Sequence, residues 1–164
     1  MISGKFQIAF ILFFVLLVQS CAADESEREN NLAEQKLELM DVDRAFSEMS
    51  NNKGMKEAFI EYIDSNGVLL RPSNLPIIGA NAIDYIIQQN DANYTLTWNP
   101  IHAEIAGSGD MGYTYGEYAM QFHKSGTMPF KDTILYGTYV SVWKRQLDKK
   151  WKLMLHSSND GLGE

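Results

Sequence analysis

GDMGYTYGEY, residues 109–118, is the first of three segments in the last third of the chain that decide its fold. The others are GTYVSVWK, residues 137–144, and WKLML, residues 151–155. Aromatic and β-branched residues separated by turn residues are typical of antiparallel strands that are joined by hairpins. The sequence therefore predicts four successive strands, at 94–106, 111–123, 133–146 and 151–157.

Helices are expected before these strands. Apolar residues recur at helical spacing between residues 33 and 50, which predicts an amphipathic helix. These residues are Leu39, Val42, Phe46 and Met49. Two further helices, at 55–61 and 79–89, and a short strand at 68–71 complete the first half. Helices followed by an antiparallel sheet indicate the α+β class, with the helices packed on one face of a curved sheet.

The N-terminus carries an apolar run over residues 6–18 that is too short to span a bilayer comfortably and is typical of a secretory signal. The run ends in LVQSC, and Cys21 is the only cysteine of the chain. This ending resembles a bacterial lipoprotein signal, which implies that Cys21 is acylated and becomes the mature N-terminus. The alternative is an ordinary signal peptide that is cut at Ala22 or Ala23 and removes the cysteine. We expect a lipid-anchored protein of the cell envelope, on its periplasmic or its outer surface.

Four segments follow from this interpretation: a signal peptide at 1–20, a flexible acidic tether at 21–34, a folded domain at 35–158 and a tail at 159–164. The net charge of −7 argues against a nucleic-acid partner. Acylation of the only cysteine excludes a disulfide, so the domain must be stabilised by its hydrophobic core.

The order of these elements carries a family resemblance. The runs GDMGYT and YVSVWK, followed by Trp151 and Lys152, resemble the SnoaL-like, DUF4440-type branch of the NTF2-like superfamily over about residues 37–157. The resemblance implies a cone of curved sheet and helices around an apolar pocket. Some members are enzymes, such as ketosteroid isomerase, scytalone dehydratase and limonene epoxide hydrolase, whereas others bind ligands or dimerise. Where many relatives carry a carboxylate after the final apolar run, this chain has His156.

Strand alternation selects the side chains that face the pocket, since successive residues point to opposite faces of a sheet. The resemblance places Trp143 inward. The predicted pocket wall is Tyr62, Trp98, Tyr118, Tyr139, Ser141 and Trp143. Such a wall suits a small, mostly apolar molecule, although aromatic rings that only fill a core remain the alternative. Gly112 and Gly116, on the same face, either leave room for a ligand or mark bends.

The same alternation predicts which residues of the other strands point inward or outward. In the first of the four successive strands, at 94–106, Ile101, Ala103 and Ile105 share the inner face. In the last strand, Trp151, Leu153 and Leu155 face inward. His102, Glu104 and His156 are expected to point outward.

An isomerase or dehydratase needs an ionisable group inside its pocket, and the predicted wall contains none. Asp64 and Arg71 flank the first short strand and could reach the mouth of a pocket, but we expect Asp64 to cap its turn and Arg71 to lie on the surface. No metal site is expected, because His102, His123 and His156 lie on separate strands. The sequence also lacks the glycine-rich and nucleophile motifs of cofactor-dependent and hydrolytic enzymes, so no cofactor is expected.

The outer face of the sheet carries Tyr113, Tyr115, Glu117 and His123, which suits either a homodimer interface or a solvated surface. Three hypotheses follow. The first is a non-catalytic envelope lipoprotein that binds a small apolar molecule. The second is an enzyme of the isomerase, dehydratase or polyketide-cyclase type, which requires that Glu117, His123 or His156 points inward. The third is a dimeric interaction module without a ligand.

Overall fold

A computed structural model describes residues 4–123 and 133–161, with side chains from residue 27 onward. The chain divides into two compact units, Met1–Gln35 and Lys36–Glu164. In the first unit, the side-chain amide of Gln35 donates a hydrogen bond to Asn31, one helical turn earlier. Within the described ranges, no helix is both long enough and apolar enough to cross a membrane.

Three helices precede the long strands in the described part of the chain. They are α1 (Gly4–Lys53), α2 (Met55–Tyr62) and α3 (Ala80–Gln88). The last two match their predicted positions to within one residue at each end. α1 includes the predicted helix at 33–50, but it begins earlier and contains the residues that we expected to form a tether. The division at residues 20, 34 and 158 stays a prediction.

The six strands form one sheet in the order β2-β1-β6-β5-β4-β3. They are β1 (Ile63–Leu70), β2 (Ile77–Ile78), β3 (Tyr94–Ile105), β4 (Met111–Phe122), β5 (Ile134–Arg145) and β6 (Trp151–Asp160). The predicted antiparallel meander of β3 to β6 is confirmed, and with it the α+β class. Strand β1 lies parallel to β6, a pairing between distant parts of the chain that no local pattern predicts.

A β-bulge in β3 changes the direction of one predicted core residue. Ile101 is the extra residue in the pairing with β4, and its side chain is 55% exposed. The prediction that Ile101 faces the core is therefore wrong, because an inserted residue shifts the alternation by one. Ala103 and Ile105 are buried and His102 and Glu104 point outward, as predicted.

A second bulge, in β6, has a larger consequence. Met154 is the extra residue between Leu153 and Leu155 in the pairing with β5. If the strand alternation continued without a bulge at Met154, Leu155 would face inward and His156 would face outward. Both of these predictions are wrong. Leu155 is only half-buried, whereas His156 is 9% exposed and lies against Ser141 on the inner face.

The core of the second unit is an aromatic cluster between the helices and the inner face of the sheet. Phe46 of α1 is at its centre, with ring-centroid distances of 4.8 Å to Phe59, 4.7 Å to Tyr62, 4.5 Å to Trp98 and 6.0 Å to Trp143. Most of these contacts are edge-to-face, the arrangement that aromatic rings prefer. The cluster packs Phe46 of α1 and the rings of α2 against the sheet, and the cavity begins beyond Phe59 and Trp98.

Gly112 and Gly116 allow β4 to approach its neighbours closely. A Cβ atom at Gly112 would lie 2.6 Å from the carbonyl oxygen of Glu104, and one at Gly116 would overlap the carbonyl of Asn99. Neither glycine lines the cavity. The interpretation that they leave room for a ligand is therefore wrong, and close strand packing explains them.

Candidate ligand-binding cavity

A cavity of about 260 Å³ lies between α2, α3 and the inner face of the sheet. Its wall is mainly aromatic and aliphatic, with Phe59 from α2, Tyr85 from α3 and Tyr94 from β3 among its rings. Polar groups enter it from β6 and from the turn after β1. They include Arg71, His156, Ser158 and Asp160.

Three of the six predicted pocket residues line this cavity: Trp98, Tyr118 and Tyr139. Each ring is held by a hydrogen bond to a carboxylate. Trp98 Nε1 and the Tyr139 hydroxyl donate to Asp43 at 2.8 and 2.7 Å, and the Tyr118 hydroxyl donates to Asp160 at 2.7 Å. The rings are therefore positioned by polar partners as well as by packing.

The other three predicted pocket residues do not line the cavity. Tyr62 stacks on Phe46 in the core. Trp143 is fully buried and donates its indole N–H to Thr114 at 2.9 Å. Ser141 is buried, and its hydroxyl contacts the His156 ring, which faces inward and covers it. The strand alternation placed Ser141 and Trp143 on the correct face, but it could not separate residues of the filled core from residues of the open cavity.

Asp43 is a buried carboxylate that the sequence interpretation missed. It is 0% exposed, and its oxygens accept hydrogen bonds from Trp98, Tyr139 and Thr114. Burial raises the pKa of Asp43 above its ordinary value, and the three hydrogen bonds oppose that shift. Since Asp43 lies behind Trp98 and Tyr139 and does not line the cavity, it positions the rings of the wall.

A polar stripe on α1 accounts for the position of Asp43. Asp43, Ser47 and Ser50 follow helical spacing on the buried face, beside Leu39 and Phe46. The Ser47 hydroxyl accepts the backbone N–H of Trp98 at 2.7 Å, and the Ser50 hydroxyl donates to the backbone of the same strand at 2.7 Å. The signal was present in the sequence, since these three polar residues interrupt one helical face at i, i+4 and i+7.

His156 is the ionisable imidazole of the cavity. Its Nδ1 is 3.1 Å from Ser141 Oγ, and its ring stacks on Tyr139 at 6.0 Å and meets the edge of Phe59 at 5.2 Å. Burial, and secondly the positive charge of Arg71, hold the pKa of His156 well below its ordinary value. The ring is neutral at pH 7, and with Nδ1 engaged by Ser141 it is Nε2 that remains available to a ligand.

Tyr118 and Asp160 form a second polar pair at the wall. Burial, and secondly the hydrogen bond to Asp160, raise the pKa of Tyr118 to about 12. A Cβ atom at Gly137 of the adjacent strand would overlap the Tyr118 ring. The absence of a side chain at Gly137 therefore lets this ring lie across β5 and reach Asp160.

Arg71 lies in the cavity wall, and the prediction that it lies on the surface is wrong. The pairing of β1 with β6 brings it there, since Leu70 is the last residue of β1 and pairs with Ser157 of β6. The guanidinium donates through Nη1 to the carbonyl oxygens of Leu70 at 3.0 Å and His156 at 3.4 Å, and its carbon lies 6.0 Å from the Phe59 ring centroid. Burial lowers the pKa of Arg71, but a guanidinium stays protonated.

The other candidate residues lie away from the cavity. Asp64 accepts the backbone N–H of Asn66 at 2.9 Å and caps its turn, as predicted. Glu117 and His123 are exposed on the outer side, so His156 is the one residue of the three named in the enzyme hypothesis that faces inward. Across the described residues, no three histidine, cysteine or acidic side chains are grouped so that they could hold a metal ion.

No protein-family model and no curated protein matches this chain. Solved structures do match it. An NTF2-like protein with a cystatin-like fold from Novosphingobium aromaticivorans has a TM-score of 0.63 at 16% identity, covering 83% of this chain and 88% of that one. The association domain of CaMKII from C. elegans has a TM-score of 0.61 at 16% identity, covering 79% and 98%.

A ketosteroid isomerase-like protein from Erwinia carotovora atroseptica has a TM-score of 0.55 at 10% identity, covering 74% of this chain and 92% of that one. At such identities the likeness concerns the fold alone. The chain has the NTF2-like fold, as the sequence predicted. The SnoaL-like branch within that fold stays a prediction.

Proposed function

We propose that this protein binds a small, mostly apolar molecule in the cavity between its helices and its sheet. The observation that carries the proposal is an open space of about 260 Å³ whose wall combines aromatic rings with a few convergent polar groups. That composition is typical of ligand pockets, and the volume is slightly below the range of about 300–1,000 Å³ that drug-sized ligands occupy. The ligand should therefore be a small molecule built on one ring or a short chain.

The hydrogen bonds of the wall explain why the cavity does not close by side-chain collapse. Trp98 and Tyr139 are both held on Asp43, and Tyr118 is held on Asp160. A Trp98 or Tyr139 ring that moved into the cavity would leave the buried carboxylate of Asp43 without one of its partners, which costs about 1–3 kcal/mol. The binding surface is thus formed before the ligand arrives, which reduces the entropy that binding must overcome.

Two serines that are neighbours in β6 provide a matched test. Ser158 lines the cavity and Ser157 does not, although both are half-buried. The Ser158→Phe variant should fill the cavity and lose the ligand, whereas the Ser157→Phe variant should keep it. Native mass spectrometry on the purified full chain, with thermal-shift screening of small arenes, measures this. Failure of the wild-type protein to retain or respond to any small molecule would contradict the proposal.

A second candidate function is acid–base catalysis on the bound molecule, as an isomerase or lyase. It is favoured by one observation, the position of the His156 imidazole on the cavity wall with Nε2 free of described partners, because histidine is the side chain that most often acts as a general acid or base. The ketosteroid isomerase-like structure described above has the same fold. Once a ligand is known, the His156→Gln variant should still bind it but lose its turnover. Unchanged turnover in that variant would exclude His156 as the base.

We also propose that Cys21 is acylated and anchors the protein in the cell envelope. The support is the signal-like sequence before Cys21 and the fact that two acyl chains give stable anchoring where one is marginal. The Cys21→Ser variant should move from the membrane fraction to the soluble fraction and should no longer incorporate labelled fatty acid. Membrane retention of that variant at the wild-type level would refute acylation.

Self-association through the outer face of the sheet is the remaining proposal. Tyr113 and Tyr115 are 41% and 44% exposed there, and tyrosine is enriched in protein interfaces. One of the similar structures is an association domain. Light scattering should give a dimer for the wild-type protein and for a Leu147→Lys control in the exposed turn between β5 and β6, but a monomer for Tyr115→Lys. A monomeric wild-type protein at micromolar concentration would contradict this proposal.

A further inference from the structure

Arg71 is the cationic side chain of the described cavity wall, and most of its hydrogen-bonding capacity is unused. A guanidinium has five N–H donors, but here only Nη1 has hydrogen bonds to described residues, both to backbone carbonyls. No carboxylate among the described residues lies within 4.0 Å of it. Nε and Nη2 have no hydrogen-bond partner among the described residues. Neither atom is fully buried, so both remain accessible to a ligand.

The other ionisable groups of the wall do not neutralise Arg71. Asp160 is the acidic residue there, and one of its oxygens accepts the Tyr118 hydroxyl. His156 presents a neutral ring beside the guanidinium. A positive charge in a mostly apolar wall without a counter-charge is costly unless something pairs with it. The arrangement therefore favours a ligand that brings the negative charge.

Building on the proposed function, we infer that the ligand is a small apolar monocarboxylate whose carboxylate binds Arg71. The planar fork of a guanidinium matches a carboxylate in a bidentate arrangement. Phe59, Tyr94 and Trp98 then surround the apolar part of the molecule, and His156 Nε2 is the second polar group on the wall that can contact its head. A dianion such as a phosphate monoester fits less well, because Arg71 is the one cation among the described residues of the wall and Asp160 would repel the second charge.

Matched acids and amides separate the charge of the ligand from its shape. The probes are phenylacetate, 3-phenylpropionate and 4-phenylbutyrate, each with its neutral amide, titrated calorimetrically into the full-length protein. At least one acid should bind about tenfold or more tightly than its amide, since charge-assisted hydrogen bonds are the strong ones. The Arg71→Gln variant should lose this preference and keep its affinity for the amide. The control variant Lys150→Gln, which removes the same charge from an exposed turn, should keep the preference.

The outcomes distinguish this inference from the function on which it rests. Equal binding of acid and amide by the wild-type protein, or an unchanged preference in Arg71→Gln, would overturn the carboxylate inference and leave small-molecule binding intact. Binding of neither series would overturn both. If Arg71→Gln does not fold, the acid-to-amide ratio of the wild-type protein still decides. Arg71→Lys, which keeps the charge but loses the fork, should then show a smaller preference.

Discussion

Replacing His156 with glutamine should reduce the loss of stability that this protein undergoes when the pH falls from 7.5 to 5.5. In the folded state burial keeps the imidazole neutral, and its pKa lies well below the value of 6.5 of a solvated histidine. The unfolded chain therefore binds a proton near pH 6.5 that the folded chain does not bind. Protonation of the unfolded chain lowers the free energy of unfolding. The protein therefore keeps its full stability above the histidine pKa of the unfolded state and loses stability as the pH falls below that pKa.

The magnitude follows from one proton. When only the unfolded state is protonated, the free energy of unfolding changes by about 1.4 kcal/mol for each pH unit. Integration from pH 7.5 to 5.5, across the unfolded pKa, gives a loss of about 1.4 kcal/mol that His156 contributes. The raised pKa of Asp43 acts with the opposite sign, because it stabilises the fold as the pH falls towards 3.8. Since Asp43 is present in every variant, its contribution cancels in the comparison.

Urea unfolding at pH 7.5, 6.5 and 5.5 measures the effect. The wild-type protein should lose about 1.4 kcal/mol more than His156→Gln over this range. The control variant His123→Gln removes an exposed histidine that contacts Thr95 and should keep the wild-type dependence, because His156 is still present. Parallel curves for the wild-type protein and His156→Gln would show that the ring is not buried in its neutral form, and the assignment of His156 to the cavity wall would fail.

Two further substitutions test the polar framework of the core. Asp43→Ala leaves three buried donors without an acceptor, so urea unfolding at pH 7 should show a loss of about 3 kcal/mol or more, whereas Asp43→Asn, which keeps one acceptor, should lose less. The exposed neighbour Asp41 is the control, and an equal loss in Asp41→Ala would refute the network. Gly137→Ala places a methyl group where the Tyr118 ring lies and should lower the free energy of unfolding by about 1–3 kcal/mol in the same assay. A stability within about 0.5 kcal/mol of the wild-type value would contradict this prediction.

The elements of this fold were predictable because each has a strong local pattern. The strands β3 to β6 alternate with a period of two and are separated by turn residues, and α2 and α3 have apolar faces with helical spacing. The direction of individual side chains was predictable only up to the next bulge. Ile101 and Met154 resemble ordinary strand residues, and nothing in the local sequence shows that either is an extra residue in the pairing. A single inserted residue moved His156 from the predicted outer face to the cavity.

The polar residues of the site differ in how far the sequence could reveal them. Asp43 could be identified as part of a polar stripe with Ser47 and Ser50, although its partners on three distant strands could not. Arg71 offers no such signal. It reaches the cavity because β1 pairs in parallel with β6, and the two strands are more than eighty residues apart in the chain. Only the three-dimensional pairing decides whether a residue at the end of a short strand is on the surface or inside.

The polar groups in and behind the cavity wall are of two kinds, one structural and the other a candidate for function. Asp43 accepts hydrogen bonds from three donors and lies behind the wall, where it does not face the cavity and so cannot take a proton from a ligand there. His156 and Arg71 lie on the wall itself, and each keeps nitrogen atoms that no described residue occupies. A binding residue needs hydrogen-bond donors or acceptors that are unpaired and face open space. A structural residue instead has protein partners for its hydrogen bonds. Binding chemistry at this site must therefore begin with Arg71 and His156, and a catalytic step could use His156 but not Asp43.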